Sequence, residues 1–177
     1  MAKNTDITKS DLLGGYQIIG GIIGIVLTII MVKNLTVYSL PMVFIIIIAF
    51  LLYAFSIFCG ISILSNLTKG LYYSKINQLL QAFNFYILGY GFQYASGIFL
   101  HIGIDLSESF NLNFNFGTSS WQIAFGQSSD KIEANINLVA IFLLVFIDKK
   151  NKEINDLKLE AQLVEIGQNV EQSNNIS

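Results

Sequence analysis

Ile76–Ile104 reads INQLLQAFNFYILGYGFQYASGIFLHIGI, and how this stretch folds decides what the chain is. It has no Asp, Glu, Lys or Arg, yet it carries amides at Asn77, Gln78, Gln81, Asn84 and Gln93. Tyr86, Tyr90 and Tyr94 and the single histidine, His101, lie in the same run. A charge-free apolar run longer than about 20 residues satisfies the length requirement of a membrane-spanning helix. At 100° per residue Asn77, Gln81 and Asn84 fall on one face, continued by Gly91 and Ala95. The three tyrosines recur every four residues on the other face. The stretch therefore predicts a third transmembrane helix whose amides must find partners inside the membrane.

The rest of the chain supports that expectation. Of 177 residues 53% are hydrophobic and 12% charged, against about 25% charged in ordinary soluble domains. Two more charge-free runs predict spans at about 12–32 and 41–64. The first contains Gly20-x-x-x-Gly24, a spacing that lets another backbone approach closely; Gly91 offers the same on the third span. Pro41 suits the first turn of the second span, where its missing N–H is harmless. The first apolar run is too long for a cleavable leader and reads as an uncleaved span. A fourth span is placed at 132–147, opened by Asp130 with Glu133 as a capping pair. Its apolar part, 134–147, covers only roughly 21 Å. The fold class expected is an all-α membrane protein, a four-helix transmembrane bundle.

Two segments stand outside the bundle. In the insert 106–129, Phe110, Leu112, Phe114 and Phe116 alternate with Asn111, Asn113 and Asn115. Gly117-Thr118-Ser119-Ser120 follows, and then Trp121, Ile123 and Phe125 alternate with Gln122 and Ala124. Alternation on both sides of a Gly/Ser stretch predicts a small β-hairpin. Residues 1–10 read as a loose polar tail, with Ser10 or Asp11 capping the first helix. Residues 149–177 read as a helical extension ending in a disordered tail. Within it, Ile154, Leu157, Ala161 and Val164 form one stripe, and Leu159, Leu163, Ile166 and Val170 a second. Residues 152–170 are a candidate surface for a cytoplasmic partner. If both termini are cytoplasmic, Lys3, Lys9, Lys69, Lys75, Lys149, Lys150, Lys152 and Lys158 lie inside and Lys33 and Lys131 outside, as the positive-inside rule favours. The expected location is a multi-pass protein of a bacterial inner membrane with an extracytoplasmic hairpin.

Chemistry is sparse. All ten cations are Lys, so the planar guanidinium fork that binds phosphates bidentately is missing, and a net charge of −2 points to no nucleic-acid partner. The single cysteine, Cys59, can form neither an internal disulfide nor a thiolate metal site. No metalloprotease, nucleophile-elbow or phosphate-loop motif occurs, and no carboxylate falls within the apolar part of a predicted span. Neither catalytic residues nor a cofactor nor a metal site is expected. Candidate intramembrane contacts are Asn77, Gln81, Asn84, Gln93 and His101, and candidate helix-packing positions are Gly20, Gly24 and Gly91. They point to a non-enzymatic interaction or accessory subunit, whose partners are the lipid bilayer and other membrane subunits or itself. The alternative is an oligomeric pore lined by the polar face of the third span.

Overall fold

The structure, a computed structural model, describes residues 2–36, 39–126 and 130–174, and the side chains within 9–36, 39–126 and 130–168. Helices α1 (Ala2–Lys33), α2 (Leu40–Ser65) and α3 (Leu67–Ala82) come first. Strands β1 (Phe83–Ile87), β2 (Tyr90–Asp105), β3 (Asn111–Ala124) and β4 (Ile132–Asn137) follow, and α4 (Leu138–Asn174) ends the chain. The fold is a mixture of four helices and a four-stranded antiparallel sheet. It is not an all-α four-helix transmembrane bundle, and that expectation is corrected.

The correction begins inside the opening stretch. Its helix stops at Ala82, and from Phe83 the chain is β. Phe83, Phe85 and Ile87 alternate with Asn84 and Tyr86, a period of two that places all the apolar side chains on one side. Leu88 and Gly89 then make a two-residue hairpin, with φ of 49° and 86°. Positive φ at both central positions belongs to the type I′ turn, whose twist matches the flanking strands. The expected third span is thus a helix, a tight hairpin and most of a long strand. The expected fourth span is β4 followed by α4, whose apolar part is too short to cross a bilayer. Asn137, not the Asp130–Glu133 pair, opens α4: its Oδ1 accepts from Val139 N at 3.2 Å and Ala140 N at 3.5 Å. Glu133 lies in β4. Nor do Ser10 and Asp11 cap α1, which begins at Ala2.

The predicted hairpin within 106–129 does not form either. Residues 111–124 are one strand, paired along its length with β2. Residues 127–129 of that insert lie outside the described residues, as do the side chains of Lys3 and Val170. The Gly117–Ser120 stretch is not a turn but a bend. The β2–β3 register shifts between Ala95 and Ile98, Gly97 has φ of 94° and Ser119 φ of 38°. The bend lets the two halves of β2 take different partners. Its first residues pair with β1, its last with β4, and β4 pairs with β1 in turn. Strands β1, β2 and β4 thereby close a circuit, with β3 on the outer side of β2.

The helices pack on this sheet at the bend. Two of them, α1 over Lys9–Lys33 and α2 over Leu40–Ser65, are long and apolar enough to cross a membrane, and only 28% of each apolar window is buried. Glycines set their spacing. Gly14 meets Gly60, Gly21 lies against Ile57, and Gly24 sits under the Tyr53 ring. Gly20 faces the backbone of Ser96 and Gly97 in β2, and a Cβ there would stand 2.4 Å from Gly97 N. On the α3 side Gly70 packs on Ile63. The expected role of Gly20 and Gly24 in close packing is therefore placed within one chain, one residue against the sheet and the other against α2.

Gly20→Leu should lower stability by about 2 kcal/mol, the usual scale of overpacking, because the added atoms meet backbone. Gly15→Ala, at a position with nothing within 4 Å, should be neutral or stabilising by about 0.5–1 kcal/mol. Thermal unfolding in detergent, followed by circular dichroism, compares the two.

Candidate functional site: a buried amide and hydroxyl network

The polar residues singled out in the opening stretch converge although they no longer share a helix. Ser74, Asn77, Gln78 and Gln81 form the buried face of α3, and Asn84 continues inward from β1. Opposite them stand Gln17 of α1, Ser56 of α2, and Tyr94, Ser96 and His101 of β2, all buried.

Ser56 is the hub. Its hydroxyl donates to the Gln17 carbonyl at 3.1 Å and accepts from Asn77 Nδ2 at 3.2 Å and from the Ser96 hydroxyl at 2.8 Å. One donor and two lone pairs are thus all used. Tyr94, wholly buried, donates to the Leu52 carbonyl at 2.8 Å and lies 3.2 Å from Asn77 Oδ1. Its ring tilts against Tyr53 at 5.6 Å between centroids. Gln81 Oε1 accepts the Ser96 amide at 2.7 Å, and Gln17 Oε1 accepts from Ser74 at 3.2 Å. Helices α1, α2 and α3 are joined to the sheet through this one set of bonds.

A second cluster lies inside the strand circuit. Asn84 Oδ1 accepts the Tyr94 amide at 3.3 Å, which fixes its Nδ2 as the group facing His101 Nε2 at 2.9 Å. An amide nitrogen can only donate, so Nε2 must be the bare nitrogen and the imidazole neutral. Burial acts the same way, holding the His101 pKa below its ordinary 6.5, with the Glu133 carboxylate pulling weakly upward. Phe99 stacks on the ring at 4.4 Å. Nearby, Glu133 takes Asn113, Asn135 and Lys131 as partners. Asn137 Oδ1 accepts from Leu100 N at 3.3 Å in addition to capping α4.

Gln93 stands apart from both clusters and donates to Ser120 across the β2–β3 pair at 3.0 Å. Gly91 packs under the Tyr86 ring. The tyrosine ladder dissolves: Tyr94 is wholly buried, Tyr86 lies against Lys131, and Tyr90 is exposed beside Phe125. Gln17, Ser56, Ser74 and Ser96 lie outside the set of contacts expected from the sequence, although Ser56 is one of the few polar groups of the second span. A lone Gln or Ser in an apolar run gives little signal until its partner on another element is known. Among the described residues five buried side-chain polar atoms have no partner: Gln17 Nε2, Tyr53 OH, Gln81 Nε2 and both amide atoms of Gln78.

The described residues contain no group of three or more His, Cys, Asp or Glu able to hold a metal ion. Comparison with family models, curated proteins and solved structures finds no match.

Two outcomes follow for adjacent amides. Asn77→Leu should destabilise by about 1–3 kcal/mol, because it strips partners from Ser56 and Tyr94, whereas Gln78→Met should be neutral or stabilising. Chemical unfolding of the purified variants reads both. For His101 the folded pKa lies below the unfolded one, so the unfolded state binds the extra proton. Stability is then complete above pH 6.5 and falls as pH drops through 6.5 toward the lowered value. The melting temperature of the wild-type chain should decline over that window. His101→Gln, which can still accept from Asn84, should lose this decline.

Proposed function

We propose that the chain is a two-span membrane protein serving as a non-enzymatic interaction or accessory subunit of a membrane complex. One observation carries this reading: the sheet is inside out. Residues paired across strands share a face. Accordingly Phe83, Phe85 and Ile87 of β1 line up with Ala134 and Ile136 of β4, then with Leu100 and Ile104 of β2, then with Leu112, Phe114 and Phe116 of β3. All of these are exposed, Phe116 to 82%. The opposite face carries Asn84, Tyr86, His101, Asn113, Glu133, Asn135 and Asn137, none of them exposed, and only on the edge strand β3 does it also show exposed polar side chains, Asn111 and Asn115.

A soluble protein buries the first set and wets the second. Apolar surface of this extent is a site for lipid or for another protein. Helix α1 packs on β2 and β3 of this sheet, and the apolar side chains of α1 and α2 are also mostly outward. Gly20, near the middle of the Lys9–Lys33 window, touches the bend of the sheet. If α1 crosses a bilayer, the bend sits at bilayer depth and the apolar face meets acyl chains or a partner's apolar surface. Strand β3 pairs on one side only, and unpaired backbone groups in an apolar medium favour a partner that covers them.

The α1–α2 hairpin puts Lys9 and Ser65 on the same side. The lysines at 69, 75, 149, 150, 152 and 158 follow them there, which favours that side as cytoplasmic. Helix α4 projects from it, with residues 155–168 exposed, including Leu157, Leu159, Leu163 and Ile166. That projecting stripe is the candidate contact for a cytoplasmic partner. The oligomeric-pore reading has less support, since Asn77, Gln81 and Asn84 all form hydrogen bonds within the chain.

The chain should resist alkaline extraction from membranes. In a Cys59→Ala background, a spin label at Phe116→Cys should be reached by oxygen dissolved in lipid rather than by an aqueous relaxation agent; one at Asn115→Cys should be less so. Aqueous access at both positions sinks the membrane reading. Liposomes carrying the purified chain should show no ion flux, and flux abolished by Asn84→Leu without unfolding favours the pore instead.

A further inference from the structure

A cleft of about 500 Å³ opens between the start of α1 and the middle of α4, and none of the bonds described above uses it. Its walls are two helical stripes: Lys9, Leu12, Leu13 and Tyr16 on one side, Phe142, Phe146, Lys149 and Glu153 among those on the other. The helices run in opposite directions. Gln17 meets Ser74 and Gly20 meets Ser96, which in turn bonds Gln81, so α1 and α3 run together. Lys75 pairs with Asp148 while Leu67 packs in the same cluster as Ile154, so α4 runs against α3.

The antiparallel arrangement sorts the lining by chemistry. Lys9 begins the α1 stripe and Lys149, Lys150 and Glu153 end the α4 stripe, so the three cations gather with one acid at one mouth. Tyr16 and Phe142 stand at the other end. The one acid in the lining, Glu153, is paired with Lys150 at 2.7 Å. Among the described residues that line the cleft, three lysines and one carboxylate sum to +2. Lys9 and Lys149 have no ion-pair partner among the described residues. The apolar end is open on its flank, where Leu12 is 75% and Phe142 70% exposed, continuous with the outward surface of α1.

We infer that this cleft holds one anionic phospholipid drawn from the surrounding bilayer. Its phosphate sits between Lys9 and Lys149, and an acyl chain lies along Leu12, Tyr16 and Phe142. A free anion would leave the apolar walls unfilled, and a zwitterionic lipid would leave the +2 mouth uncompensated. The lysines stand where α1 and α4 pass from apolar to polar sequence, the level of the headgroups, where each basic side chain strengthens binding of anionic lipid. The assignment rests on the membrane placement proposed above.

Native mass spectrometry of the full chain in mild detergent tests it, with phosphatidylglycerol, phosphatidylcholine and inorganic phosphate as probes. One phosphatidylglycerol should be retained per chain, at least about tenfold in preference to phosphatidylcholine. Lys9→Gln with Lys149→Gln, both at exposed positions, should reduce that retention on the order of tenfold. Leu12→Asn should weaken both lipids by removing tail contact. Equal retention of the two lipids overturns the inference, as does unchanged retention by the double variant or displacement of the lipid by millimolar phosphate. Alkaline extraction of the same variants keeps the two proposals apart. The double variant should remain membrane-bound, and if the wild-type chain is extracted, it is the membrane placement that fails.

Discussion

Everything in this fold depends on α1 coming into backbone contact with a bent β-ribbon. At Gly20 the helix surface has no side chain, and at Gly97 the strand has none either, so the two backbones touch. Tyr16, one turn earlier, covers Gly97 with its ring and donates to the Ile98 carbonyl at 2.7 Å. Ser119 on the neighbouring strand donates to the Gly20 carbonyl at 2.8 Å and accepts from Gly97 N at 3.0 Å. One hydroxyl thus ties helix to sheet and both strands to each other. Further along α1, Trp121 Nε1 donates to Thr28 at 3.0 Å. The bend is therefore held along α1 from Tyr16 to Thr28. Without it β2 could not pair with β1 at one end and β4 at the other, and the polar side of the sheet would not close over Asn84 and His101.

That closure explains why the strands carry their polarity reversed. In water, apolar burial drives folding and polar groups stay outside. Here apolar side chains point outward from the sheet, and the interior is joined by amides, hydroxyls and a neutral imidazole. Small residues at close approaches and hydrogen bonds between elements are what hold a structure together where the surroundings supply no hydrophobic drive. Gly14, Gly20, Gly21, Gly24, Gly60 and Gly70 supply the first, and the bonds radiating from Ser56 supply the second. The conventional apolar core is correspondingly small. Leu13, Ile63, Leu71 and Ile147 form it where α1, α2, α3 and α4 gather beside the lysines.

The two most apolar helices were legible because their signal is composition over length, which survives any tertiary context. The third and fourth spans do not form because absence of charge does not distinguish a helix from a strand. Phe83-Asn84-Phe85-Tyr86-Ile87 has the same period of two that marked residues 110–116 as β, and Leu88-Gly89 is a turn with Gly at a position that needs positive φ. Since Asn77, Gln81 and Asn84 fit a helical face equally well, periodicity of polar residues alone could not arbitrate. The Gly117–Ser120 stretch misled in the opposite sense, because Gly and Ser mark bends within a strand as readily as turns between strands. The amide cluster was legible as a need for partners. Its partners were not, because Gln17, Ser56 and Ser96 reach it only through the α1–α2 hairpin and the bend.

A strand in place of the third span also changes what the amides can do. On a spanning helix Asn77, Gln81 and Asn84 would form one continuous polar line along the membrane normal, open to neighbouring subunits. In the observed fold the backbone changes from helix to strand at Phe83, so the line is broken. Asn77 and Gln81 turn toward Ser56 and Ser96, while Asn84 turns into the strand circuit toward His101. Each amide is engaged in a different junction: α3 to α2, α3 to β2, and β1 to β2. A side chain that secures a junction is not free to solvate a passing ion without loosening the fold. The surfaces left for other molecules are therefore those the network does not use, namely the apolar outer face of the sheet, the projecting end of α4 and the lysine-rimmed cleft between α1 and α4.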